Sequence, residues 1–366
     1  MKRYPQELVS ALHLSDVHKT VYGTDVRIKP VPDDPRAGVL DPRELLFAKE
    51  SAKRRSEIKE PQTLEEMRAD MGFAGLAIHD TAVWTDCIYL QNGDNTVRIW
   101  KYSPRLPEGK KDRPALIYVH GGGWIGGSPM DYEGACKYIA QIADCVVFNV
   151  EYSLAPEKQY PNGLDDTWCA VSYICDNAAS LGVDAGRIGI AGDSAGGNLA
   201  AACCLKDRDL KTGYLNYAVL LYPALKLTAA GPEGYVWSID DYCINPEQFE
   251  YIDPSISIDR PTENDDDPQE SIRSLYIPKD QDPSDPYISP MLAGSLKGLC
   301  RTMIVDAEFD GLRIENEYYG KMLRDAGNDV CILRYNGMRH GFIEKTGYLP
   351  QAEDLCMEIA AYIIGA

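Results

Sequence analysis

The sequence predicts an α/β fold: a mostly parallel central sheet, helices on both faces, and a mainly helical cap. Three observations carry that reading. Short apolar runs recur near 115–119, 145–150, 187–191, 217–222, 301–306 and 330–335, the pattern of strands buried on both faces. Stretches of helical pattern lie between them, at about 130–143, 162–180, 195–206, 313–326 and 351–364. Two long segments stand outside this alternation. Residues 1–80 are polar and helix-prone, notably Arg43 to Met71, and residues from about 226 to 284 are rich in Pro, Asp, Ser and Tyr.

The N-terminus, Met1-Lys2-Arg3-Tyr4-Pro5, leads into no apolar core of signal-peptide length, and no stretch is long enough to span a bilayer. Eleven cysteines make an odd count, and Cys145, Cys169, Cys203, Cys204 and Cys331 fall inside apolar elements. Reduced thiols in a cytoplasm are the expectation. The first strands form a hairpin, Cys87-Ile88-Tyr89-Leu90 and Val97-Arg98-Ile99-Trp100, turning at Asn92-Gly93-Asp94.

The strand Ala115-Leu116-Ile117-Tyr118-Val119 runs into His120-Gly121-Gly122-Gly123-Trp124. Three consecutive glycines are costly in backbone entropy, so a chain that keeps them uses their N–H groups. Donors fixed where negative charge develops in a tetrahedral intermediate are one such use. Trp124, beside this loop, walls an acyl or alcohol pocket or simply packs.

The run Arg187-Ile188-Gly189-Ile190-Ala191 precedes Gly192-Asp193-Ser194-Ala195-Gly196-Gly197, and Asn198 to Leu205 follows as a helix. Strand, Gly-x-Ser-x-Gly, helix is the setting of a nucleophile elbow. Small residues must flank the serine because the turn is tight, and the helix N-terminus directs free N–H groups at its oxygen.

A serine hydroxyl needs a base. The histidines are His13, His18, His79, His120 and His340. The first three precede the main strands and His120 belongs to the glycine loop. His340 lies in a loop after the strand 330–335, where an open sheet gathers its chemistry. The base in turn needs a carboxylate. Asp306, Glu308 and Asp310 compete at the end of the strand 301–306, and Asp310, beyond it, is best placed to reach back. Ser194, Asp310, His340 is the triad order of the α/β hydrolases.

These motifs, with Glu151-Tyr152-Ser153-Leu154-Ala155-Pro156-Glu157, Tyr160-Pro161 and Asp285-Pro286-Tyr287-Ile288-Ser289-Pro290, resemble the hormone-sensitive-lipase-like esterases over about residues 85 to 366. The resemblance implies an α/β-hydrolase fold with Ser194, Asp310 and His340 as triad. It implies the N–H groups of Gly122, Gly123 and Ala195 as the oxyanion hole. It divides the chain into an N-terminal cap region, 1–80, and a catalytic domain, 81–366, with a cap insertion at about 226–284. Tyr235, Trp237, Tyr242 and Phe249 give that insertion aromatic surface to pack, with the acidic run Glu263 to Asp267 exposed. The chain departs from the family at Ser153, where arginine is usual, at Gly311, where proline is usual, and at Ile314, near a usual acid.

Lys plus Arg is 37 and Asp plus Glu is 56, a net charge of −19. That balance argues against nucleic-acid and anionic-membrane partners. It also disfavours anionic substrates at a distance, although the field inside a pocket can differ. No zinc pattern, Walker loop or Rossmann glycine pattern appears in the right context, so no metal and no cofactor are expected. Assembly into a homo-oligomer is compatible with the chain. Three functions fit. One is a carboxylesterase for small short-chain esters, with acetylated sugars and phenolic esters as candidates. One is an amidase such as an arylformamidase. The third is a non-catalytic small-molecule receptor on the same fold, like the plant gibberellin receptors, which lack the histidine present here.

Overall fold

The computed structural model describes residues 2–58, 62–104, 112–229, 231–257 and 268–365. Its strands are β1 Val17–Val21, β2 Thr24–Lys29, β3 Val83–Asn92, β4 Asn95–Pro104, β5 Arg113–Val119, β6 Val146–Glu151, β7 Val183–Asp193, β8 Tyr217–Leu221, β9 Arg301–Phe309 and β10 Val330–Arg339. They form one sheet in the order β1-β2-β10-β9-β8-β7-β5-β6-β4-β3. Pairing is parallel from β2 to β6 and antiparallel at both ends. The helices are α1 Gln6–Leu14, α2 Pro42–Glu57, α3 Leu64–Asp70, α4 Glu133–Ala143, α5 Asn162–Asp176, α6 Ala178–Leu181, α7 Ala195–Leu210, α8 Phe249–Ser257, α9 Pro268–Tyr276, α10 Arg313–Asp325 and α11 Pro350–Ile364.

The two-residue period of a strand explains the layers. In β5, Ala115, Ile117 and Val119 enter the apolar layer shared with α5 and α7, while Leu116 and Tyr118 enter the opposite layer with α4 and α11. Both faces are covered, so the strand is buried end to end. β5 lies between β6 and β7, with Val119 level with Val150 on one side and Gly192 on the other. The chain therefore reverses its direction of travel across the sheet at β5, and a crevice opens beyond the carboxyl ends of β5 and β7. The loops 120–124 and 192–196 meet there.

The predicted hairpin forms β3 and β4, closing with Asn92 opposite Asn95. A second hairpin was not visible in the polar N-terminal segment. β1 and β2 add to the sheet, β2 pairing in parallel with β10 through Val26 and Ile332. Its turn residues, Tyr22 and Gly23, have φ of 50° and 76°. Tyr-Gly supplies the positive φ values of a tight hairpin turn without the usual Asn or Asp signal. Val26 and Ile28 pack on Ile332, and Lys29 is buried 2.8 Å from Glu358 of α11. The first thirty residues thus extend the sheet instead of standing apart from it.

The rest of the N-terminal segment meets the insertion. Leu40 and Ala48 form one apolar cluster with Tyr242, Ile252, Ile256, Phe309 and Ile314. Tyr235 and Trp237 pack against it, but Phe249 is 51% exposed. Ile314, where the family has an acid nearby, is buried here because the insertion covers it. The acidic run 263–267 lies outside the described residues.

Candidate active site

Ser194 stands between the last residue of β7 and the first of α7, at φ 54° and ψ −120°. Such a conformation in a residue other than glycine stores on the order of 1–3 kcal/mol of strain. The surroundings enforce it. The Ser194 N–H donates to Leu221 O at 2.9 Å, and its carbonyl accepts from Asn198 N at 3.0 Å. A Cβ on Gly192 would lie 2.3 Å from Gly196 O, and one on Gly196 would lie 2.1 Å from Val119 O. Strand and helix can pass only because these side chains are absent.

The glycine loop is equally constrained. Gly122 and Gly123 have φ of 120° and 58°, and Trp124 follows at 60°. Gly122 O accepts from Ile125 N and Gly126 N at 3.1 and 2.9 Å, closing a tight turn. The N–H groups of Gly122 and Gly123 donate to no acceptor among the described residues. Ala195 is the first residue of α7, so its N–H has no intrahelical acceptor.

Asp193 joins the two loops, a role sequence reasoning missed. Its Oδ1 accepts from Gly121 N at 2.8 Å and from Tyr118 Oη at 3.2 Å, and its Oδ2 accepts from Tyr132 Oη at 2.8 Å. Burial pushes its carboxyl up to about 6, against the hydrogen bonds that favour the charged form. Nothing in the local motif distinguishes it, because its partners stand far away in sequence. His120 is stacked on Tyr152 with ring centroids 4.4 Å apart, and burial lowers its pKa to about 4, so it is neutral.

His340 follows β10 directly, and its Nδ1 lies 2.7 Å from Asp310 Oδ2. Asp310 is 1% exposed, and its Oδ1 accepts from Leu312 N at 3.0 Å. Its backbone carbonyl accepts from Tyr242 Oη of the insertion at 2.7 Å. The structure brings Asp310 to His340 and takes the two competing acids elsewhere. Asp306 accepts from Asn316 Nδ2 at 3.0 Å in the interior, and burial, with Glu317 nearby, drives its carboxyl well above the usual range. Glu308 accepts from Gly337 N at 2.7 Å. β9 runs three residues further than expected, to Phe309, which leaves Asp310 as the first residue free of the strand.

Ser194, His340, Gly122, Gly123 and Trp124 all line one cavity of about 450 Å³. Trp124 also packs: it is 4% exposed and stacked on Tyr276 of α9, with centroids 4.6 Å apart. At Ser153, where the family has arginine, the backbone N–H donates to Asp166 Oδ2 at 3.0 Å. Asn92 and Asn95 donate to Asp166 Oδ1 at 2.7 and 3.3 Å, so amides hold that carboxylate.

A family model described as the alpha/beta hydrolase fold matches residues 116–344, which include the glycine loop, Ser194, Asp310 and His340. The chain belongs to the hormone-sensitive-lipase-like α/β hydrolases. The carboxylic ester hydrolase LipN of Mycobacterium tuberculosis is 32% identical over 244 residues, 65% of this chain and 59% of that one. The arylesterase of Saccharolobus solfataricus is 30% identical over 259 residues, 70% of this chain and 75% of the relative. Among solved structures, the hyperthermophilic esterase from the archaeon Pyrobaculum calidifontis superposes with a TM-score of 0.73 at 29% identity, covering 89% of this chain and 98% of that one. This hydrolase acts on carboxylic ester bonds. Among its described residues no helix is long and apolar enough to cross a membrane.

Proposed function

We propose that this hydrolase is a serine carboxylesterase for small, short-chain acyl esters, working through an acyl-enzyme on Ser194. The observation that carries the reading is the 2.7 Å contact between His340 Nδ1 and Asp310 Oδ2, in the cavity that also holds the strained Ser194. With Nδ1–H donating to the carboxylate, Nε2 is left as the base. It takes the Ser194 proton as the hydroxyl oxygen attacks the ester carbonyl. The N–H groups of Gly122, Gly123 and Ala195 then receive the oxyanion. Each such donor is worth roughly 3–4 kcal/mol of transition-state stabilisation in comparable sites. His340 returns the proton to the leaving alcohol, and water repeats the sequence on the acyl-enzyme. The α2, α8 and α9 segments act as the cap, and the cavity of about 450 Å³ suits a short acyl chain.

The test is direct. Ser194→Ala is expected to fold and to lose ester turnover, and a fluorophosphonate is expected to label Ser194. Labelling of another serine, or wild-type turnover in the variant, refutes the assignment.

A further inference from the structure

Cations ring the cavity that holds Ser194 and His340. Arg55 comes from the last turn of α2, Arg273 from α9 and Lys226 from the segment after β8, while Arg339 and Lys345 flank the histidine. The acids in the same lining are Asp193 and Glu344. Burial pushes these up, to about 6 and about 7, so near neutral pH they carry less than their formal charge. Glu44 offers a single carboxylate to Arg339 at 2.7 Å and to Lys345 at 2.9 Å, which leaves that group with an excess positive charge. Arg55 and Arg273 make no ion pair among the described residues, although the buried Glu315, pushed up to about 7 by its burial, feels the charges of Lys226 and Arg273. Burial, and then the charge of Arg339, holds the Arg55 guanidinium below its ordinary pKa.

This local balance opposes that of the whole chain, which carries −19. Glu44 joins Arg339 and Lys345, and the buried Glu315 faces Lys226 and Arg273, so two carboxylates stand against five cations and an added anion is favoured there. Arg339 and Lys345 have a structural explanation in Glu44. Arg55 has none and Arg273 only the buried Glu315, although two elements remote in sequence deliver both to the same space. The repulsive field of the chain is screened within about 8–10 Å at physiological salt, so contact inside the cavity is governed by the cations there. Guanidinium groups suit oxyanions because their planar fork gives paired, charge-assisted hydrogen bonds.

We propose that the substrate is an ester bearing a second, anionic group, a carboxylate or a phosphate remote from the scissile bond, held by Arg55 and Arg273. The inference rests on the esterase reading above and narrows its substrate class.

The experiment compares matched substrates on the full chain. One pair varies the acyl side, para-nitrophenyl butyrate against the para-nitrophenyl hemiester of succinate. A second varies the alcohol side, phenyl acetate against para-acetoxybenzoate, and para-acetoxyphenyl phosphate separates phosphate from carboxylate. The anionic member of at least one pair is expected to have kcat/KM about tenfold higher or more, as charge-assisted hydrogen bonds allow. Arg55→Gln and Arg273→Gln are expected to shrink that ratio, and added salt to shrink it in the wild type. Titration of Ser194→Ala with para-acetoxybenzoate and with phenyl acetate reads binding without turnover. Efficient hydrolysis of the neutral members, with no anionic preference in either pair or with ratios unchanged in both arginine variants, overturns the anion site and leaves the esterase reading standing. Preferential binding of para-acetoxybenzoate by Ser194→Ala, with no hydrolysis of any ester by the wild type, overturns the esterase reading and leaves the anion site.

Discussion

Asp193 and Glu344 share one hydroxyl: Tyr132 Oη stands 2.8 Å from Asp193 Oδ2 and 2.7 Å from Glu344 Oε1. A phenol has one proton to give, so the two contacts are both satisfied when one of the carboxyl groups is itself protonated and donates to the oxygen. Burial, the main cause, pushes Glu344 up to about 7, and the neighbouring Asp193 adds to it.

That raised carboxyl fixes the sign of a pH effect. A group with its folded pKa above its unfolded one contributes stability that is full below the unfolded pKa and is lost as pH rises through the folded pKa. For Glu344 the window runs from about 4.5 to about 7. Glu344→Gln keeps a donor to Tyr132 and removes the titration. Thermal melts at pH 5 and pH 8 are expected to show the wild type losing a few degrees more than the variant across that interval. Equal losses would mean that Glu344 does not hold the extra proton in this range.

The acid partner of the histidine can be tested by contrast. Asp310→Asn leaves the shape of the site and reverses the polarity of the contact to His340, so kcat is expected to fall by about 10⁴. Asp306→Asn is expected to stay within about tenfold, because burial already favours the neutral form of Asp306 and an amide resembles it. Measured kcat values in the opposite order would assign the role to Asp306.

The proposed preference for short acyl chains rests on the size of the cavity. Each methylene gains about 0.8 kcal/mol only while apolar room remains. Activity on nitrophenyl esters is expected to peak between acetate and butyrate and to fall steeply by octanoate. Trp124→Ala is expected to move the optimum to longer chains, at some cost in stability because the stack on Tyr276 is lost. A wild-type preference for decanoate in a soluble assay contradicts the small-pocket reading.

The elbow tolerates no added atoms. Gly196→Ala places a methyl 2.1 Å from the Val119 carbonyl, a backbone atom that cannot swing aside. Loss of soluble folded protein or a large drop in melting temperature is expected. Gly294→Ala, with open space around the new methyl, serves as the control and is expected to be neutral. A well-folded Gly196→Ala would show that strand and helix are less tightly apposed than described.

Continuous apolar strands and glycine motifs are local signals, and that is why the parallel core, the elbow and the glycine loop are legible in the sequence. The competition among Asp306, Glu308 and Asp310 needed the true end of β9, and strand ends are set by pairing with a neighbour rather than by composition. The β1–β2 hairpin was hidden because Tyr22 occupies a turn position that sequence signals associate with Asn or Asp. Arg55 and Arg273 are unremarkable on their own helices, and only the packing of α2 and α9 around one space gives them a joint meaning.

β10 carries His340 at its end, and β2 covers the flank that β9 does not. Over Ile332 to Tyr335 the strand has no open hydrogen-bonding edge, so along that stretch two copies cannot associate by β10 pairing with itself across a symmetry axis. On that side of the molecule the outermost backbone belongs to β1, five residues long, mostly exposed and carrying His18 and Lys19. A short, charged outer strand discourages further strand addition. Dimers built through the sheet would have to use the opposite margin at β3, and a truncation that removes β1 and β2 would create a sticky border next to the histidine.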